Sequence, residues 1–135
     1  MLLALTKTLS ELKLSATNRV EAKTDLLVTT YLAGQLTSGD IRIFFSQITD
    51  AKAYVAAGSP SDATPFPWVK SIGDRLSLAY AVVAAILIDI ETDWNTYGSQ
   101  VENERVIAVT AISTATTAAG IYIIEHDFNT AVDAL

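Results

Sequence analysis

Between Leu76 and Ile112 the apolar residues return in steps of three and four. The series runs Leu78, Val82, Ile86, Ile90, Trp94, Tyr97, Val101, Arg105, Ala108 and Ile112, with Arg105 its one charged member. Such spacing marks one stripe of an α-helix. The stretch contains no proline and a single glycine, Gly98. It predicts one long helix over about 76–113, which at 1.5 Å per residue spans roughly 55 Å. A helix of that length cannot bury its stripe against itself. Other parts of the chain, or a partner, must cover it.

A second stripe opens the chain. Leu5, Leu9, Leu12, Ala16, Val20, Leu27 and Tyr31 lie on one side of a helix predicted from about Leu3 to Leu32, opposite Lys7, Glu11, Asn18, Glu21 and Asp25. Lys23 or Thr24 interrupts it, and a lysine stem can lie along apolar surface while its ammonium reaches water. Gly34 suits the left-handed position that ends a helix. After Thr37-Ser38-Gly39-Asp40 a shorter second helix is predicted, capped by either hydroxyl, with Asp40 in its first turn near the positive end of the dipole. Its stripe is Ile41, Phe44, Phe45, Ile48, Ala51 and Val55, the most aromatic surface in the chain. Aromatics at that spacing read as core.

The second helix should end near Ala57-Gly58. Ser59–Pro67 (SPSDATPFP) holds all three prolines and reads as a loop. A short helix, Pro67–Ile72, follows with proline at its first position, where the missing N–H costs nothing. Gly73 is expected to end it, and Asp74 or Ser77 to cap the long helix. The hydroxyl run Ser113–Thr117 competes for backbone groups and so interrupts or re-caps the helix. Gly120–Phe128 (GIYIIEHDF) closes the chain; its β-branched content fits helix or strand, and helix is favoured because nothing else reads as a strand to pair with it. The expectation is a single all-α domain over residues 1–135. It is a small bundle built on the long helix, packed antiparallel against the N-terminal helix, with the shorter second helix on the third side.

Composition narrows the function. Half of the 135 residues are hydrophobic, and mean hydropathy is +0.34. The most apolar run, Leu76–Ile88, stops at Asp89, Glu91 and Asp93, short of the roughly 20 residues that cross a bilayer. No membrane partner and no signal peptide are expected. There is no cysteine, so disulfides and thiolate sites are excluded. Net charge is −6. Residues 76–135 hold one base, Arg105, against eight acids. That balance argues against nucleic acid, which demands clustered Lys/Arg.

Chemistry is sparse. His126, the only histidine, sits in Glu125-His126-Asp127 with no second histidine to complete a metal site or triad. Asp89 and Asp93 share a helix face. The di-metal bundles, however, need Glu-x-x-His from two helices, and the chain contains none. A solvated acidic face beside inward Ile90 and Trp94 is the plainer reading. Arg105 is placed to pair with Glu102 on its own helix, or across to Glu11, Glu21 or Asp25. No catalytic residue, cofactor site or metal site is expected, and no small-molecule substrate.

The order of several small motifs carries a resemblance. Asn18-Arg19-Val20-Glu21-Ala22-Lys23 is followed by Ala51-Lys52-Ala53-Tyr54 and Pro65-Phe66-Pro67-Trp68. Then come Ala81-Val82-Val83-Ala84-Ala85-Ile86, Trp94, Glu102-Asn103-Glu104-Arg105 and Ala115-Thr116-Thr117. In this order, over about residues 10–124, the chain resembles the helical accessory modules of tail-fibre assembly and tail-associated proteins of tailed bacteriophages. The resemblance implies protein binding rather than catalysis. It implies a tail-fibre assembly factor or chaperone in the host cytoplasm, with a tail-fibre protein, or a second copy of itself, as partner. The alternative is a permanent structural part of the tail or fibre, retained in the virion; a small metal-binding bundle is the remote one.

The long stripe continues through Ala108 and Ile112 toward Ile121, Ile123 and Ile124, and these five residues are the candidate partner-binding surface. Two arrangements are open: the closing segment folds back over this end of the helix, or it leaves the end for a partner.

Overall fold

A computed structural model describes residues 7–35 and 40–135, and the described chain is all α-helix and connections. Five helices follow one another among these residues: α1 (Leu9–Ala33), α2 (Ile41–Ala56), α3 (Pro67–Leu76), α4 (Tyr80–Thr114) and α5 (Ala118–Asp133). They form two compact units. A terminal unit takes the described residues up to Leu27 with Tyr97–Leu135, and a central unit takes Val28–Thr96. Helices α1 and α4 contribute to both. No single described helix is long and apolar enough to cross a membrane; α3 and α4 pass that test only as a pair, bent by 109° at their break.

The terminal unit packs three helices. Lys13 Nζ donates to the Ser113 carbonyl at 2.9 Å, and Arg105 meets Glu21 at 3.7 Å. Low numbers on α1 thus face high numbers on α4, as antiparallel packing requires. The third side is α5, which runs parallel to α1: Arg19 pairs with Glu125 at 2.5 Å and Lys23 with Asp133 at 2.9 Å. The expected second helix is not in this unit. The core is aliphatic apart from Phe128, with Ala16, Val20, Val101, Ala108, Ile112, Ile121 and Val132 buried around it. Thr24 fills the gap in the α1 stripe; it is buried, and its hydroxyl donates to the Val20 carbonyl at 2.9 Å. Beside it, the Lys23 stem is largely covered while its ammonium reaches Asp133.

The central unit is built on aromatics and caps. Phe44, Ile48, Ala51 and Tyr54 of α2 pack with Val69 and Ile72 of α3 and with Val83, Ala84, Leu87 and Ile90 of α4. Asp40 is the N-cap of α2, and its carboxylate accepts from Arg42 N–H at 2.9 Å. The expected caps Thr37 and Ser38 lie outside the described residues. At the other end Gly58, at φ 88°, allows a Schellman closure: Ser59 N–H donates to Tyr54 and Gly58 N–H to Val55. Helix α3 has no side-chain cap of its own at Phe66. Asp50 of α2 supplies one, accepting from Val69 N–H at 2.8 Å.

Several expected boundaries and faces are corrected. The long helix begins at Tyr80 rather than 76, because Ser77 turns left-handed (φ 55°, ψ 42°) and closes α3 instead of capping α4. Gly73 does not end α3 but lies buried within it. A Cβ there would stand 2.6 Å from the Tyr80 ring and 3.0 Å from the Leu78 carbonyl, so glycine serves close packing at this corner. The first helix begins at Leu9, with the Thr8 hydroxyl accepting from Glu11 N–H at 3.1 Å; Leu3 and Leu5 lie outside the described residues. On α2 it is Gln47 and Tyr54 that are buried, whereas Ile41, Phe45 and Val55 are exposed.

On the long stripe, Leu78 and Val82 are exposed, and Val83, Ala84 and Leu87 are buried in their place. The reason is geometric. Leu78 lies before α4 begins. Each step of four within α4 overshoots a turn by about 40°, so the three such steps from Val82 to Trp94 rotate the stripe by about 120°. From Ile90 to Ile112 steps of three and four are mixed and the net rotation is only about 40°. Trp94 packs into the central core with its ring 5.5 Å from Phe44 of α2 and edge-on to Phe45 at 5.8 Å.

Candidate functional site

Thr117 makes the α4–α5 connection tight. Its backbone is extended and its hydroxyl accepts from Gly120 N–H at 3.0 Å, which starts α5 immediately and returns it along α4. Between the two helices lies a groove of about 280 Å³, on the terminal unit. Ala108, Ala111 and Ala131 form its small-residue lining, Ile107 and Ile124 its larger apolar walls, and Glu104 and Asp127 its charges. The small residues are why a groove exists, since two helices with alanines at facing positions leave no side chain to fill the space between their ridges.

Of the five candidate residues, the structure brings Ala108 and Ile124 to this groove. Ala108, Ile112 and Ile121 are each buried in the core of the terminal unit, covered because the closing segment folds back as α5. Those three have little surface of their own to give a partner. Ile123 is 56% exposed, one helical turn from Asp127 on α5. Ile107, 55% exposed, is the residue that stripe reasoning passes over. The available signal is its i+4 neighbour Ala111 and its i−3 neighbour Glu104, a second apolar line beside the core stripe.

The charges of the terminal unit are mostly satisfied. Arg105 forks onto Glu102 at 2.6 and 2.7 Å and reaches Glu21. This hydrogen-bonded pairing raises the guanidinium pKa and lowers that of the Glu102 carboxyl. Arg19 holds Glu125 and its own pKa is raised by that bond. Glu104 and Asp127 differ: no base among the described residues pairs with either. The groove is therefore apolar inside and negative at its edge.

The other chemistry-bearing residues lie apart. Glu91 is held by Lys52 at 2.6 Å, while Asp89 and Asp93 are exposed. His126 stacks on Tyr122 at 6.3 Å between ring centres, and its neighbour Glu125 is committed to Arg19. Among the described residues no group of three or more His, Asp or Glu is placed to hold a metal ion. Compared with known proteins, the chain matches no family model, no curated protein and no solved structure.

Proposed function

We propose that this chain is a protein-binding helical module of a phage tail-fibre system, an assembly factor or chaperone for the fibre that acts in the host cytoplasm. The groove between α4 and α5 supports the protein-binding part. It offers apolar walls, exposed Ile107 and Ile123 alongside, and two carboxylates that no described base pairs with. Such a surface fits an amphipathic helix laid into it by an apolar stripe, with Lys or Arg at its flanks to meet Glu104 and Asp127. A second copy of the chain is a poorer fit, because it would bring further carboxylates to the same edge. The phage setting is supported by the order of sequence motifs.

The test is co-expression with a phage tail-fibre protein, followed by pull-down. Ile107→Asp and Ile123→Asp place a charge at exposed positions, so the fold should persist while capture falls at least about tenfold, a loss of about 1.4 kcal/mol or more. Unchanged capture by both variants would remove the groove from the interface. Mass spectrometry of purified virions then separates a chaperone, absent from the particle, from a stoichiometric structural part.

A further inference from the structure

We propose a second site: the aromatic cleft of the central unit binds a cation on an apolar stem, a lysine or arginine side chain presented by a partner polypeptide. The cleft, about 440 Å³, opens between α2 and the segment leading into α3, and is walled by Phe45, Pro65, Phe66 and Trp68 around Asp50. Phe45 is 46% exposed and Trp68 36%, much surface for large aromatic side chains to leave open. Two of the walls are held in place from behind. Phe45 stands edge-on to Trp94, and Phe66 stands edge-on to Tyr54 at 5.4 Å. The Tyr54 hydroxyl in turn donates to the Pro60 carbonyl at 2.7 Å. A site held in this way loses little freedom on binding.

The carboxylate decides the ligand class. Asp50 is fixed by Val69 N–H at 2.8 Å, and no base among the described residues pairs with it. Nearby Lys52 and Lys70 are committed to Glu91 and Asp74. Aromatic faces are the negative pole of the ring quadrupole, so rings and carboxylate both favour a cation. A neutral apolar ligand would strip water from Asp50 and give nothing back. An anion would meet it head-on. The positive end of α3 opposes a cation here, but Asp50 itself already meets that end through Val69. Ser46 and Thr49 also line the cleft, and their hydroxyls can accept from an ammonium. The site is independent of the α4–α5 groove and does not rest on the function proposed for it.

The test follows the Trp68 indole N–H by NMR in the full chain. The probes are blocked lysine, blocked arginine, blocked norleucine and methylammonium. Blocked lysine and arginine should shift Trp68 saturably, with norleucine at least about tenfold weaker. Asp50→Asn keeps an acceptor for Val69 N–H but loses the charge, and should weaken lysine binding about tenfold or more. If that variant fails to fold, Phe45→Leu, at a half-exposed position, decides the matter, because it too should weaken lysine binding. Norleucine equal to lysine, or lysine binding unchanged in the variant that folds, overturns the proposal. Methylammonium binding as tightly as blocked lysine would overturn the polypeptide source.

Discussion

The two units solve the same problem, covering long helices, by different means. The terminal unit repeats one interaction along its length: aliphatic residues from α1, α4 and α5 in layers, flanked by Arg19–Glu125, Lys23–Asp133 and Arg105–Glu21 at the surface. The central unit uses interactions that each occur once. Asp40 caps its own helix, Asp50 caps a neighbour's, Gly73 makes room for Tyr80, and Trp94 joins Phe44 and Phe45. Its core also holds two buried polar atoms, Gln47 Oε1 and Trp94 Nε1, with no hydrogen-bond partner among the described residues, whereas the buried Thr24 hydroxyl of the terminal unit has one. Repetition tolerates single changes, whereas unique contacts do not.

Phe44→Ala should therefore show the largest effect. Phe44 is fully buried and touches both Phe45 and Trp94, and deleting such a ring costs about 3–5 kcal/mol. Urea denaturation measures this directly. A midpoint within error of the parent would mean that the aromatic cluster adds nothing, and the contrast between the units would collapse.

Two of the helical glycines, Gly73 and Gly98, sharpen the contrast further. Gly73→Ala drives a methyl into Tyr80 and the Leu78 carbonyl and should destabilise by about 1–3 kcal/mol. Gly98 in α4 has no described atom within 4 Å of its would-be Cβ. Gly98→Ala should stabilise by about 0.5–1 kcal/mol, because alanine has less backbone freedom to lose in a helix. Opposite signs in thermal melts are expected, and equal signs would refute the packing role of Gly73.

Next in size are a cap and an ion pair. Asp50→Ala removes the side-chain acceptor that meets the start of α3 and should cost about 1 kcal/mol. Arg19→Ala breaks a pair whose arginine side chain is 58% exposed and should cost well under about 1 kcal/mol. A larger loss from Arg19 than from Asp50 would reverse the ranking of the two units.

How much of this is legible in the sequence follows the same division. The stripe from Ile90 to Ile112 mixes threes and fours and so stays on one face, and α5 reads as a helix for want of a strand to pair with. The Ser113–Thr117 run foretells the re-cap at Thr117. The charge pattern places Arg105 to pair with Glu102 or across to Glu11, Glu21 or Asp25, of which the structure pairs it with Glu102 and Glu21. The central unit is less legible because its determinants are not periodic. Apolar spacing cannot show that Asp50 caps a helix 19 residues on, or that a glycine inside α3 makes room for a ring beyond it. Nor does it show that Gln47 and Tyr54 are buried while Val55 is not. The α4–α5 groove is half legible: the stripe reaches Ala108 and Ile124, but a groove is defined by what is missing between two helices, and their pairing has first to be known.

Acid should expose the smallest difference. In the central unit three carboxyls titrate below the usual aspartate range: Asp40 through bonds from Arg42, Asp62 through the Thr64 hydroxyl and N–H, and Asp74 through Lys70 and Tyr80. In the terminal unit Glu102 is lowered by Arg105. A carboxyl whose folded pKa lies below its unfolded value stabilises fully above the unfolded pKa, near pH 4, and loses that contribution as pH falls through the folded value. All four groups are solvent-facing, so the loss should be local rather than global. Amide exchange followed downward from about pH 5 should show loosening at the start of α2 and around Thr64. The terminal unit should change mainly near Arg105. Asp40→Asn, which cannot ionise, should make the α2 start indifferent to pH over this window. An α2 start that loosens equally in that variant would place the acid response elsewhere than at the Asp40 cap.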